Sequence, residues 1–139
     1  MAIYVLDTDI LSLYQRNHAP VLNAIAAHAL DQFAICTVSV EEQISGWSAL
    51  ARAARTPQHQ EQASMFLAAL VRSWNRFALA PLTLPCIVRF DSIRKLKLNV
   101  KNNDLRIAAT VMELGARVVT RNLRDFGRVP GLHIEDWSK

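Results

Sequence analysis

Ile3-Tyr4-Val5-Leu6-Asp7-Thr8-Asp9 joins four apolar, strand-prone residues to a pair of acids. A short continuous apolar run of this kind fits the central strand of a parallel sheet, buried on both faces. Ligands of open α/β sheets bind outside the carboxyl ends of the strands. Asp7 stands where this strand stops, which makes it the first candidate functional residue.

Working outward, a short helix is predicted from about Ile10 to Arg16. Pro20 occupies a first-turn position ahead of Val21, Leu22, Ile25, Ala26 and Ala29 at helical spacing. Phe33-Ala34-Ile35-Cys36 reads as a second buried strand. Ser39-Val40-Glu41-Glu42 opens a helix to about Arg55, which Thr56-Pro57 breaks. A long helix from about Gln58 to Phe77 places Ala63, Phe66, Leu67, Leu70, Val71 and Trp74 on one face.

Ala78-Leu79-Ala80-Pro81-Leu82 is the third expected strand. Thr83 caps a helix to about Leu96, with Pro85 in its first turn. The basic stretch Lys95–Asn103 leads to a helix from Asp104 to Leu114, which Gly115 ends. Arg117–Thr120 forms another strand, Arg121–Phe126 a turn, Val129–Leu132 a loop and His133-Ile134 a last edge strand. Alternating strands and helices define an α/β sandwich with a mostly parallel sheet. No repeat or linker divides residues 1–139, so one domain is expected.

Composition narrows the class. Half the residues are apolar and a fifth charged, too hydrophobic for disorder. No run reaches the roughly 18 apolar residues of a membrane span, and no basic leader precedes an apolar one. A cytoplasmic protein without a membrane partner is therefore expected. Cys36 and Cys86 lie far apart in apolar contexts and read as buried thiols. A net charge of +4 tilts the chain toward polyanions. The four histidines, at 18, 28, 59 and 133, show no paired ligand spacing, which argues against zinc.

Acids recur where the predicted strands end. Asp7 follows the first, Glu42 lies just past the second, and Asn122 and Asp125 follow Arg117–Thr120. Asp104 opens a helix that feeds that strand. Converging carboxylates repel unless a cation joins them, and hard cations such as Mg²⁺ or Mn²⁺ prefer oxygen ligands. Each acid also has a local reading. Asp7 can cap the helix at Ile10, and Ser39-x-x-Glu42 matches a capping box. Asp104 can complement a helix dipole, and Asp125 can be a turn residue.

Five segments together resemble the PIN-domain ribonucleases, in particular VapC-type toxins of bacterial toxin–antitoxin pairs. They are Leu6–Ser12, Ser39–Gly46, Asn103–Ala109, Val119–Phe126 and Val129–Leu132. The resemblance implies a PIN-like three-layer α/β/α sandwich and a metal-dependent endoribonuclease acting as a toxin. It further implies Mg²⁺ or Mn²⁺ as cofactor, an RNA substrate, a small VapB-type antitoxin as inhibitor and a homodimer. Asp7, Glu42 and Asp104 match the family's first three acids, with Asn122 or Asp125 completing the metal shell. Thr8 and Thr120 match supporting hydroxyl positions.

Lys101, Arg121 and Arg124 flank that site and are candidates to hold RNA phosphates, as are Lys95, Lys97 and Arg128. The stretch Gln43–Trp74 is a candidate antitoxin groove, or simply core. Three departures stand out: Asp9 where relatives carry Asn, Asn122 where many carry Asp, and a Lys- and Asn-rich stretch before Asp104. Two other functions stay open. Asp7-Thr8-Asp9 resembles the nucleophile motif of haloacid-dehalogenase-type phosphatases, although Ile10 breaks that pattern. A PIN fold with a weakened site would instead bind RNA or a partner without cleaving.

Overall fold

The computed structural model describes all residues from Met1 to Lys139. Its elements are β1 (Ile3–Leu6), α1 (Thr8–Gln15), α2 (Ala19–Ala27), β2 (Gln32–Cys36), α3 (Thr37–Ala53) and α4 (Pro57–Trp74). They continue with β3 (Ala78–Ala80), α5 (Leu84–Arg94), α6 (Asn102–Glu113), β4 (Arg117–Val119), α7 (Leu123–Phe126) and β5 (Ile134–Glu135). The strands form one sheet in the order β3-β2-β1-β4-β5, and every pairing is parallel. β1 is central, with Leu6 in register with Ile35 on one side and Val119 on the other.

Side chains of a strand alternate between faces, and β1 divides accordingly. Val5 joins Ala34 and Val118 in a core built with Phe90, Ile93, Leu105 and Ile107 of α5 and α6. Tyr4 and Leu6 face the opposite way, into a cluster with Ile10, Leu11, Val21 and Trp137. The sandwich therefore has helices on both faces of the sheet, as the apolar run of β1 requires. Cys36 and Cys86 are both free and buried, and burial pushes the Cys36 thiol up to about 12. No helix is long and apolar enough to cross a membrane.

The differences from expectation are local. β3 ends at Ala80, because Pro81 has no N–H to continue a ladder. Residues 123–126, read as a turn, wind into the single turn α7, capped by Asn122. The last strand is Ile134–Glu135, one residue later than expected, and the His133 carbonyl accepts from the Val118 N–H at its start. The helix over 58–77 is shorter, and its apolar stripe is only partly covered. Ala63 and Leu70 are buried, whereas Phe66 and Val71 remain 44% and 45% exposed. α4 packs chiefly on α3, with Trp74 at its end against the core under the sheet, and this leaves part of the stripe uncovered.

Phe126 is fully buried and seats α7 against the α6 side of the core. Replacing it with alanine removes a large apolar group that the close-packed surroundings cannot refill. Phe126→Ala is expected to lower the unfolding free energy by about 3–5 kcal/mol, measured by urea denaturation. A loss well below that range would mean α7 contributes little to the fold.

Candidate active site

The carboxyl edge of the sheet is organised around Asp7. Its N–H continues the β1–β4 pairing by donating to the Val119 carbonyl at 2.9 Å, while its side chain caps α1. Oδ1 accepts from the Thr8 N–H at 2.8 Å. Oδ2 accepts from the Thr120 hydroxyl, also at 2.8 Å. The capping role and the candidate catalytic role thus fall on one residue. Asp7 is only 6% exposed, and no lysine or arginine pairs with it. Burial, helped by the charges of Asp9 and Asp104, raises its pKa to about 7 against the two hydrogen bonds.

Glu42 reaches the same edge from α3. Ser39 does not cap that helix; α3 begins at Thr37, with Cys36 at the cap position. The capping-box reading is therefore corrected. Glu42 Oε1 accepts from the Thr8 hydroxyl at 2.7 Å, and Ser39 Oγ lies 2.9 Å from that same hydroxyl. Thr8 has a single proton, which the carboxylate takes, so Ser39 donates to the Thr8 oxygen. Residues 39 and 42 are one helical turn apart and share a face. A capping box and an inward-facing pair have the same spacing, so sequence reading missed Ser39 as part of the site.

Asp104 lies in the first turn of α6, whose cap position is held by Lys101. Burial raises its pKa, the charges of Glu42 and Asp125 add to the shift, and Lys101 opposes it. Asp125 is held ionised, first by a hydrogen bond from Asn122 and then by Arg124 and Arg128. Asn122 donates from Nδ2 to Asp125 Oδ2 at 3.0 Å, and its Oδ1 faces the Asp125 N–H at 3.4 Å. Both ends of that amide are engaged with Asp125, so the charge this segment offers the cluster is the aspartate's. Thr120 also accepts from the Asn122 N–H at 3.0 Å.

Asp9 is turned to the rim. Its Oδ1 accepts from the Ile10 N–H, and its Oδ2 from the Arg121 N–H, with the Arg121 guanidinium 3.6 Å away. A carboxylate engaged at both oxygens is a poor partner for an Asp7 nucleophile, which weakens the phosphatase alternative. Arg124, 80% exposed, lies 3.4 Å from Asp125. Lys101, Arg121 and Arg124 all reach solvent around the acids.

The side-chain oxygens at this edge belong to carboxylates, hydroxyls and the Asn122 amide, with no histidine or thiolate among the candidate ligands. That set suits a hard divalent cation and not zinc. With the side chains as they stand, no three acids converge on one ion directly. A cation here would complete its shell with water, as Mg²⁺ habitually does. The oxygen donor set and the Asp7 and Glu42 carboxylates, which no lysine or arginine pairs, fit such an ion.

The profile of the PIN domain matches residues 4–132. Ribonuclease VapC2 of Rickettsia felis is 28% identical over 144 residues, an alignment that covers 99% of both chains. Among solved structures, VapBC2 from Rickettsia felis, bound to a DNA fragment from its promoter, has a chain that superposes with a TM-score of 0.71. That chain is 25% identical, and the match covers 97% of this chain and 98% of that one. A chain of VapBC-1 from nontypeable Haemophilus influenzae superposes with a TM-score of 0.77 at 24% identity, over 99% of each chain.

The raised Asp7 pKa carries a stability consequence. Between pH 3.8 and about 7 the folded chain holds a proton that the unfolded chain has lost. Unfolding free energy from this group therefore falls as pH rises through that window. Asp7→Asn removes the charge, so in EDTA the variant is expected to melt several degrees above the parent at pH 8. The gain should shrink to nothing near pH 4. An equal Tm difference at both pH values, read by calorimetry, would show that the burial of charge is not its source.

Proposed function

The chain belongs to the PIN-domain family, and from that premise we propose that it is an endoribonuclease, the toxin of a toxin–antitoxin pair. The observation that carries this reading is the gathering of Asp7, Glu42 and Asp104 from three elements at one edge. Thr8 holds Asp7 through its N–H and Glu42 through its hydroxyl. The Asp104 charge acts on Asp7 and the Glu42 charge on Asp104, and Asp7 has no cationic partner. The name of the Rickettsia felis relative, a ribonuclease aligned over almost its whole length, supports it.

Asp7, Glu42 and Asp104 would hold Mg²⁺ or Mn²⁺, with Asp125 as the fourth charge and Asn122 as its clamp. When bound, the cation supplies an activated water and a counter-charge for the leaving oxygen of an RNA phosphodiester. The chain's own residues prepare that chemistry. Thr120 and the Thr8 N–H fix both oxygens of Asp7, and the Thr8 hydroxyl orients Glu42. Lys101, Arg121 and Arg124 offer phosphate contacts at the rim, so RNA affinity should weaken steeply with salt.

A VapB-type antitoxin fits the same reading. A groove of about 300 Å³ runs from Trp47, Phe66 and Leu70 to Gln43, Thr8 and Glu42. A helical or extended antitoxin segment anchored on the exposed Phe66 would reach the carboxylates and block them. A homodimer belongs to the proposal as well, with light scattering as its check.

Purified protein, freed of antitoxin, is expected to cleave structured RNAs in Mg²⁺ or Mn²⁺ and to leave them intact in EDTA. Asp7→Ala and Asp104→Ala, checked for folding, should reduce cleavage at least a hundredfold. Thr8→Val, which removes only the hydroxyl that orients Glu42, should cost about ten- to a hundredfold in activity or metal affinity. Cleavage that persists in EDTA, or in either alanine variant, overturns the carboxylate–metal mechanism. RNA bound but never cut would favour the binding-module alternative.

A further inference from the structure

Arg128 follows α7 between two buried anchors, Phe126 and Val129. Its own N–H donates to the Asp125 carbonyl at 3.1 Å, which fixes the base of the side chain. From there Nη1 lies 3.5 Å from Asp125 Oδ1 and donates to the Asn99 carbonyl at 2.9 Å. One guanidinium nitrogen thus joins an acid of the site to the segment between α5 and α6. Arg124 meets the same Asp125 oxygen at 3.4 Å but extends into solvent without a contact to that segment.

The segment it grips is unusual. Lys97 and Asn99 both carry left-handed backbone, with φ of 53° and 59°. Asparagine tolerates this conformation, but lysine is disfavoured in it. Such conformations persist where surrounding contacts over-determine them, and they gather at functional sites. The segment runs directly into Lys101, the cap residue of α6, and three residues later into Asp104.

We propose that Arg128 is a positioning residue: it ties the Lys95–Lys101 segment to Asp125 and so sets the cationic rim against the acids for an RNA phosphate. This rests on the ribonuclease reading above. A guanidinium can meet a carbonyl and a carboxylate together, whereas lysine offers a point charge and glutamine a neutral, shorter donor.

The test compares the parent with Arg128→Lys and Arg128→Gln, each checked for an unchanged far-ultraviolet spectrum. Hydrogen–deuterium exchange of the metal-free proteins reads the tie itself. Arg128→Gln is expected to speed exchange at residues 97–101 at least tenfold, with Arg128→Lys intermediate. On a fluorescent single-stranded RNA in Mn²⁺, Arg128→Gln should raise KM three- to tenfold, with a smaller fall in kcat and a shallower salt dependence. Unchanged exchange at 97–101 overturns the proposal, and so does faster exchange with an unchanged KM. If the parent itself leaves RNA intact, the ribonuclease reading fails, while the exchange experiment still decides whether Arg128 ties the segment.

Discussion

A carboxylate withdrawn from water at the end of the central strand is the constraint on which the rest of the site depends. Asp7 must lie where β1 stops, because its N–H belongs to the sheet and its side chain to α1. Burial there disfavours the ionised form. The fold answers with hydroxyl and amide donors, and places no lysine or arginine beside it. The negative charge is kept in place and left without a partner.

Hydroxyls let several acids share one edge. Thr120 steadies Asp7, Thr8 steadies Glu42, and Ser39 supports Thr8. A cation in any of those positions would cancel the charge it was holding, whereas a hydroxyl orients an oxygen and leaves its charge available. The chain nevertheless carries a net +4, and part of that excess stands at the solvent margin, in Lys101, Arg121 and Arg124. On the proposed reading, an anionic centre within a cationic border would take a small cation first and a polyanion second. The +4 of the whole chain gives little sense of that order.

Much of this could be read from the residues in order. The Ile3–Leu6 run identified the central strand because only a strand covered on both faces is apolar at every position. Asp7 could be placed because an acid that directly follows such a strand has one edge to occupy. What stayed illegible depended on contacts between segments. Ser39-x-x-Glu42 has the same spacing whether it caps a helix or faces inward, and only the approach of Thr8 from α1 separates the two. The stripe on α4 looked like core because periodicity reports which face is apolar, not whether anything covers it. Asn122 and Asp125 lie three residues apart, and which of them faces the acids depends on how one turn of helix is capped.

The Asp7–Thr120 hydrogen bond spans 113 residues, and its length in sequence has a consequence during synthesis. At about 5–20 residues per second, the two partners leave the ribosome on the order of ten seconds apart. Until β4 arrives, β1 lacks one of its two neighbours and the first acid lacks its hydroxyl. Asp104 also belongs to the later part of the chain. A nascent polypeptide therefore has no assembled cluster while the ribosome beside it is still reading an intact message. The proposed activity needs nearly all of the domain to be translated first, so on that reading the wiring of the sheet itself delays the threat to the RNA that encodes it.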